Sequence, residues 1–364
     1  MSVRTSGAVS VSKILVPLVI IGALALMLMP IIFENQNSPR SDFTELEYRL
    51  KWLANPGFIG DIYADAYGLY RAEGLNVTVE PGGPNRDPIA ALETGQAQFG
   101  VASADQVLNA LYKGSDLVVL AQIYRKNPVQ WIYRTNDHTI DRASDLSGKR
   151  VGITHGDNDQ TIMEALLKKN ALEKVDLIGV RFDYTPFLLK TVDLFPVYVN
   201  TQGVDLSWEL EKNDEEVGSF DPGGPEGINF VANSLITTSK IANSDRELAL
   251  KFVKATIKGW QLSLDPSNEK DSIDALALMM RESGAPNDPE FRNKSSEKIE
   301  RTRDLVLPSQ SEVTIGQIDV DDWEQTEEIM REAGLFDKPD GSRPAKIGIR
   351  GRLLIDFVKA SLEL

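Results

Sequence analysis

The stretches LEYRLKWLANPGFIGD, residues 46–61, and GLYRAEGLNVTVEPGGPNRDPIAALETGQAQFGVASADQVL, residues 68–108, decide the fold. Leu46, Tyr48, Leu50 and Trp52 alternate with polar neighbours, as a half-buried strand over Glu45 to Leu53 requires. Tyr63, Ala66, Tyr67 and Tyr70 then recur at helical spacing, and Gly74 supplies the left-handed residue that ends a helix before a strand reaching Val79. After the turn Pro81-Gly-Gly-Pro, Asp87 is placed to cap a helix whose first position, Pro88, needs no N–H. Gly95 closes that helix, residues 96–103 form a short strand, and Ala104 opens the next helix. The order is strand, helix, strand, helix, strand, helix, with polar and aromatic residues gathered at the turns.

These residues closely resemble the substrate-binding proteins of bacterial ATP-binding-cassette importers, in the group covering thiamine-pyrimidine, riboflavin, nitrate and sulfonate binders. The shared pattern is a helix ending in EGL, a strand, a GGP turn, an acidic-Pro helix start and a G-x-A-x-F-G strand. GKRVGI at 148–153, DLFPVYVNTQ at 193–202, FVKATIKGWQLSL at 252–264 and IGQIDVDDW at 315–323 resemble later blocks of the same family in the same order. The likeness covers roughly residues 44 to 336. PGGP and the Trp-x-x-Asn-Pro turn are most similar to the pyrimidine-precursor and riboflavin branches.

The resemblance implies an α/β, two-lobed periplasmic-binding-protein fold of type II, each lobe a mostly parallel sheet with flanking helices. The chain of 364 residues is long enough for two such cores. The expected division is residues 1–40 as anchor or signal segment and tether, 41–130 plus 234–364 as the first lobe, and 131–233 as the second. Lys126 to Tyr133 is the expected first passage between lobes, and residues 227–237 the return.

A formal charge of −15, from 54 acidic and 39 basic side chains with no long basic run, argues against nucleic-acid binding. The absence of cysteine rules out disulfides, thiolate metal sites, a cysteine nucleophile and a lipidated N-terminal cysteine. Ile14 to Phe33 is a run of 20 uncharged, mostly apolar residues, preceded by Arg4 and Lys13 and followed by Glu34. It is long enough to span a ~30 Å hydrocarbon layer, and the charges place the body outside the cytoplasm. Ala23-Leu-Ala25 offers a small-residue cleavage site, but the apolar run exceeds the ~7–15 residues of a usual signal core, which favours an inner-membrane anchor.

Farther along, Asp116 to Tyr124, Arg150 to Ile153, Val180 to Tyr184 and Val192 to Val199 read as strands. Gly156 to Thr161 leads into a helix reaching about Asn170, and Pro186 to Lys190 reads as a short helix. Glu209 to Gly227, acidic and rich in Gly and Pro, reads as a solvent-facing loop. Ser244-Asp-Arg-Glu247 reads as a capping box opening a helix to about Leu264, with Leu248, Phe252, Ala255 and Leu262 as its buried stripe. Ala275 to Glu282, Trp323 to Ala333 and Leu353 to Leu364 read as later helices.

A cleft at the carboxyl ends of strands needs aromatic faces, polar readers and helix N-termini. Trp52, Phe58, Trp131 and Tyr198 offer faces, and stacking on a flat heterocycle adds roughly 0.5–1.5 kcal/mol per contact. Asn55, Asp61, Asp87, Asp105, Asn158 and Asn200 stand at turns or strand ends, and Ser103 and Tyr184 complete the expected ligand-binding set. For each aromatic, core packing is the competing role, and for Asp87 capping alone is a sufficient one.

The resemblance implies a solute-binding protein with no cofactor that closes on a small ligand and delivers it to a membrane permease and its ATPase. The ligands it implies are a pyrimidine thiamine precursor or a riboflavin-like flavin, with nitrate, sulfonate or taurine as the alternative. A membrane-tethered sensor is a further alternative. The same fold family also includes pyrimidine synthases that use a histidine, a cysteine-rich motif and pyridoxal phosphate. This chain departs from them: it has no cysteine, only His138 and His155, and Phe58 and Ile59 where the histidine-bearing segment would fall. No nucleophile–base pair or metal-ligand spacing stands out, so neither catalytic residues nor a metal is expected.

Overall fold

The computed structural model describes residues 43–364 except 182, 225, 282–283, 285–286 and 309–313. The apolar run of residues 14–33 lies outside the described residues. Among those described, no helix is long and apolar enough to cross a membrane.

Strand β1, Thr44–Arg49, buries Leu46 and Tyr48 on one face and pairs in parallel with β2, Leu75–Glu80, from Thr44 opposite Leu75 to Arg49 opposite Glu80. On its other side β1 pairs in parallel with β3, Phe99–Ala102, which is buried throughout. β4, Leu117–Gln122, completes the first passage through this lobe. The chain then crosses to a second sheet, entering it as β5, Val129–Arg134, and building β6, Arg150–Ile153; β7, Asp176–Gly179; β8, Leu194–Tyr198; and β9, Val217–Phe220. It returns as β10, Ser234–Thr238, which slots between β3 and β4. The sheet orders are β2-β1-β3-β10-β4 and β7-β6-β8-β5-β9.

Each sheet is mixed, which corrects the expectation of mostly parallel sheets. β10 runs antiparallel to both its neighbours, and so does β5. The reason is connectivity: β5 and β10 are the strands that enter a sheet directly from the other lobe, without the crossover helix that returns a chain to a parallel neighbour. β9 lies within the segment expected to be an acidic loop, where Val217 and Phe220 pair with Arg134 and Trp131.

The core of the first lobe is aromatic. Phe252 stacks on Phe99 at 3.8 Å and on Tyr70 at 5.4 Å, and meets Tyr48 edge-on at 5.0 Å. Phe252 and Ala255 are buried as expected, while Leu248 and Leu262 are only partly covered. Their helix, Arg246–Ser263, follows a separate short helix, Ser239–Ser244, and no capping box forms at Ser244. Helices Ile59–Ala66 and Arg246–Ser263 approach so closely that a Cβ on Gly60 would overlap the Trp260 ring. The chain end is shorter in helix than expected: a 3-10 turn, Ile349–Arg352, precedes helix Phe357–Leu362, and Leu354 N donates to Val119 O at 3.0 Å, covering the β4 edge.

Candidate functional site

The first turn leaves β1 at its carboxyl end, inside the junction of the two sheets. Lys51 is buried there, and its ammonium donates to Tyr198 Oη at 2.7 Å and to Ser103 Oγ at 3.4 Å, with Asp157 Oδ1 at 4.0 Å. Lys51 and Ser103 come from the first lobe, Tyr198 and Asp157 from the second, so this is a bond between lobes. Burial alone would push the Lys51 amine down, but the Tyr198 oxygen, Asp157 and Asp105 outweigh it and hold the ammonium above its ordinary value. Tyr198 Oη also accepts from Asn158 Nδ2 at 3.0 Å.

Local chemistry places each of these groups. Asn55 Oδ1 accepts from Gly57 N at 2.7 Å and caps the 3-10 turn Pro56–Phe58, which sets Phe58 at the start of helix Ile59–Ala66. Ser103 stands before helix Ala104–Tyr112, with its N and Oγ donating to Gln106 Oε1 at 3.2 and 3.1 Å. Asp157 caps helix Asn158–Lys169, and Asp159 Oδ2 accepts from Thr154 N at 2.8 Å. Gln202 Oε1 accepts from Tyr198 N at 3.2 Å and from Thr201 Oγ1 at 2.7 Å, which holds the end of β8.

The innermost cavity, about 40 Å³, lies between Trp52, Asn55 and Phe58 of the first lobe and Asp157, Tyr198 and Gln202 of the second, with Asn233 of the return passage also in its wall. That volume holds about one water molecule, not a ring. An outer cavity of about 220 Å³ shares Lys51, Trp52 and Asp157 and adds Pro84, Asp87 and His155. A side cavity of about 40 Å³ reaches Asn158 and Asp159. The charged walls comprise one ammonium, Lys51, against the carboxylates of Asp87, Asp157 and Asp159. Burial, reinforced by Asp157, pushes the Asp159 carboxyl up to about 7. Burial also raises Asp105, against the pull of Lys51. Asp105 Oδ1, Asp159 Oδ1 and Asn233 Oδ1 are buried without a hydrogen-bond partner among the described residues. Of these residues Asp159 and Asn233 stand in cavity walls, and since buried polar atoms are nearly always paired, their acceptors suit a ligand that donates.

The expected residues divide into three sets. Trp52, Asn55, Phe58, Asn158 and Tyr198 line the cavities, and Asp87 stands at the rim while its carboxylate also accepts from Ile89 N at 2.9 Å. Ser103 and Asp105 back Lys51. Four residues are elsewhere. Asp61 faces the first-lobe core, accepting from Tyr48 Oη at 2.7 Å and Trp260 Nε1 at 3.3 Å, because its helix turns that side away from the cleft; burial pushes it up to about 7. Trp131 is fully buried and donates to Gly152 O at 2.9 Å, since alternation along β5 directs it under the second sheet. Tyr184 packs edge-on against Phe195, 5.7 Å away, in a separate second-lobe cluster. Asn200 joins the lobes through its amide nitrogen, which donates to Tyr124 Oη at 3.0 Å and Thr302 Oγ1 at 2.8 Å, while its Oδ1 is buried without a partner among the described residues.

Sequence reasoning missed Lys51, Asp157, Gln202 and Asn233. Asp157 had a legible signal, an acid just ahead of a helix. Lys51 had none, because a lysine beside a strand is ordinarily solvated. A second set of bonds between lobes lies outside the cleft, where Trp208 Nε1 donates to Glu297 Oε2 at 2.7 Å and Lys298 pairs with Asp205 at 2.7 Å.

Residues 55–269, more than half the chain, match the family described as NMT1/THI5 like. The chain belongs to the NMT1/THI5-like family. A curated relative, the riboflavin-binding protein RibY of Chloroflexus aurantiacus, is 25% identical over 308 residues, covering 80% of this chain and 81% of RibY. Among solved structures, the periplasmic aliphatic sulphonate binding protein SsuA from Escherichia coli is similar with a TM-score of 0.62 at 18% identity, over 85% of this chain and 91% of that one. The desulfurization enzyme DSZB is similar with a TM-score of 0.56 at 12% identity, over 88% of this chain and 99% of that one. At such identities the structural likeness establishes the periplasmic-binding-protein fold of this NMT1/THI5-like chain and nothing finer, since one fold serves binders and enzymes alike.

Proposed function

We propose that this chain is the solute-binding component of an ATP-binding-cassette importer, capturing a small, flat, uncharged or cationic heterocycle and delivering it to a permease and its ATPase. The observation that carries this reading is the cleft wall: Trp52, Phe58 and Tyr198 for stacking, three carboxylates to one ammonium, and the unpartnered acceptors Asp159 Oδ1 and Asn233 Oδ1. An amino or ring N–H donor satisfies such acceptors. A nitrate or sulfonate meets a net negative wall whose single cation is already shared with Asp157 and Tyr198, so the heterocycle is favoured over the anion. RibY, named as a riboflavin binder, supports the same branch.

Binding proceeds by closure of two lobes, taken as 41–130 plus 234–364 and 131–233. Ligand contacts drawn from both lobes exist only when they meet, so a ligand shifts the equilibrium by its preference for the closed form. The Lys51–Tyr198 bond belongs to that closed form. The inner cavity is too small for a ring, so entry requires the lobes to part. The protein works outside the cytoplasm, with residues 14–33 as its anchor or signal. It acts as a binder rather than an enzyme: the amine within reach of the Ser103 and Tyr198 hydroxyls is Lys51, which its neighbours hold as an ammonium and so keep from acting as a base for either. A thermal-shift screen of the full chain against aminopyrimidines, thiamine, flavins, nitrate, taurine and short sulfonates tests it. A saturable rise with a pyrimidine or flavin is expected, and a rise only with the anions overturns the reading.

A further inference from the structure

The bonds between lobes outside the cleft form an ordered row. Helix Gln202–Glu211 of the second lobe lies against helix Pro289–Val306 of the first and runs antiparallel to it. Close to the passages between lobes, Asn200 donates to Thr302 Oγ1 at 2.8 Å, Val199 N to Pro128 O at 2.9 Å, and Arg125 N to Leu305 O at 2.8 Å. Farther out, Lys298 pairs with Asp205 at 2.7 Å, and Trp208 Nε1 donates to Glu297 Oε2 at 2.7 Å with the Lys294 ammonium 5.5 Å from its ring centre. At the outer end Lys212 pairs with Glu290 at 3.2 Å. Glu290, Lys294, Glu297 and Lys298 recur at the spacing of one helix face, so a single stripe of the first lobe grips the segment that follows Tyr198.

The stretch from Thr302 back to Glu290 is about 18 Å long at 1.5 Å per residue. A hinge rotation of about 10° therefore parts the outermost pair by about 3 Å and leaves the innermost nearly in place. None of Asp205, Trp208, Lys212, Glu290, Glu297 and Lys298 lines the cleft cavities. We infer that this helix pair is a clasp that biases the lobes toward closure from outside the cleft, before any ligand enters, and that ionic strength loosens it. The inference rests on the two-lobe closure of the proposed function and names the residues that set its balance. Lys212 and Glu290 are exposed, so salt screens the pair that must part first. Apparent affinity scales with the fraction of competent molecules, so salt then weakens binding of an uncharged ligand as well.

The test uses the full chain without ligand. The chain has no cysteine, so exposed Asn213→Cys and Asn293→Cys, one at the end of each helix, carry a spin-label pair whose distance distribution reports their separation. Between about 0.1 and 1 M salt, where the Debye length falls from ~10 to ~3 Å, the distribution is expected to move toward longer distances. At the lower salt, Lys298→Gln and, separately, Asp205→Asn are each expected to raise the long-to-short ratio about threefold and to flatten the response to salt. Lys270→Gln, which removes an ion pair to Asp274 within the first lobe, is the control and is expected to change neither. Distances that ignore both salt and the two clasp substitutions overturn the inference. So does an unchanged distribution with a lowered urea midpoint, which makes the helix pair a fixed packing contact. Either result leaves the proposed function standing, since the solute screen reads that separately; a failed screen with a responsive clasp removes the proposed solutes alone.

Discussion

Tyr198→Phe isolates the bond that joins the lobes in the cleft. The substitution keeps the ring and removes one oxygen, which accepts from Lys51 across the lobes at 2.7 Å and from Asn158 within the second lobe at 3.0 Å. Only the first of these depends on closure. A hydrogen bond to a charged group contributes about 1.5–3 kcal/mol. Lys51 keeps Ser103 at 3.4 Å and Asp157 at 4.0 Å, and the Asp157 side chain retains 21% of its exposure, so the lower part of that range applies. A loss of about 2 kcal/mol moves the open–closed equilibrium about 30-fold toward open. Where the closed form is the minor one, apparent ligand affinity falls by the same factor. The assay is calorimetric titration with whichever screened ligand binds, paired with urea unfolding and with Lys51→Met to close a double-mutant cycle. Affinity should fall about tenfold or more while unfolding changes by no more than about 1 kcal/mol, the share of the Asn158 bond. Affinity within threefold of the parent, or strict additivity of the two substitutions, refutes the reasoning.

Trp52→Ala should weaken ligand binding about tenfold or more with little loss of stability, since Trp52 is only half-buried and lines both the inner and outer cavities; intact affinity with a lowered melting temperature would make it a packing residue. Asp159 and Asp61 sit in the fold with carboxyls raised from 3.8 to about 7 by burial, so their ionisation penalises the folded state: the penalty is absent below about pH 4, grows between about 4 and 7, and is complete above 7. The protein should therefore gain melting temperature as pH falls from 8 to 5, and Asp159→Asn, which keeps an acceptor for Thr154 N, should shrink that gain by a few degrees; an unchanged pH difference would contradict the burial argument. Gly60→Ala should cost about 1–3 kcal/mol in urea unfolding despite the better helix propensity of alanine, because the added methyl overlaps Trp260; a stabilised variant would show that the two helices separate freely.

Much of the scaffold was legible because local rules decide it. Alternation marked β1, Asp87 and Pro88 marked a helix start, and Gly74, Gly95 and Gly114 do take the left-handed conformation their helix ends require. Where local signals misled, a tertiary partner decided the outcome. The acidic segment 209–227 yields β9 because β5 offers an open edge for Val217 to Phe220. Ser244 to Glu247 fails as a capping box because the chain breaks into two helices there. Asp61 has the residue type and turn position of a ligand reader, yet Tyr48 and Trp260, thirteen and 199 residues away, take its carboxylate into the core.

Residue order alone settled the alternation of strands and helices, the acidic surface, the absence of thiol chemistry, and the family, because each rests on composition or on neighbours within a few positions. It also brought Trp52, Asn55, Phe58 and Tyr198 forward as cleft candidates, since turns after strands are where such folds keep their polar and aromatic groups. The third dimension decided which groups meet. Lys51 and Tyr198 are 147 residues apart, and no periodicity or spacing connects them. Their bond exists because β1 and β8 end on facing edges of two separate sheets, and that juxtaposition is what turns a set of turns into a cleft.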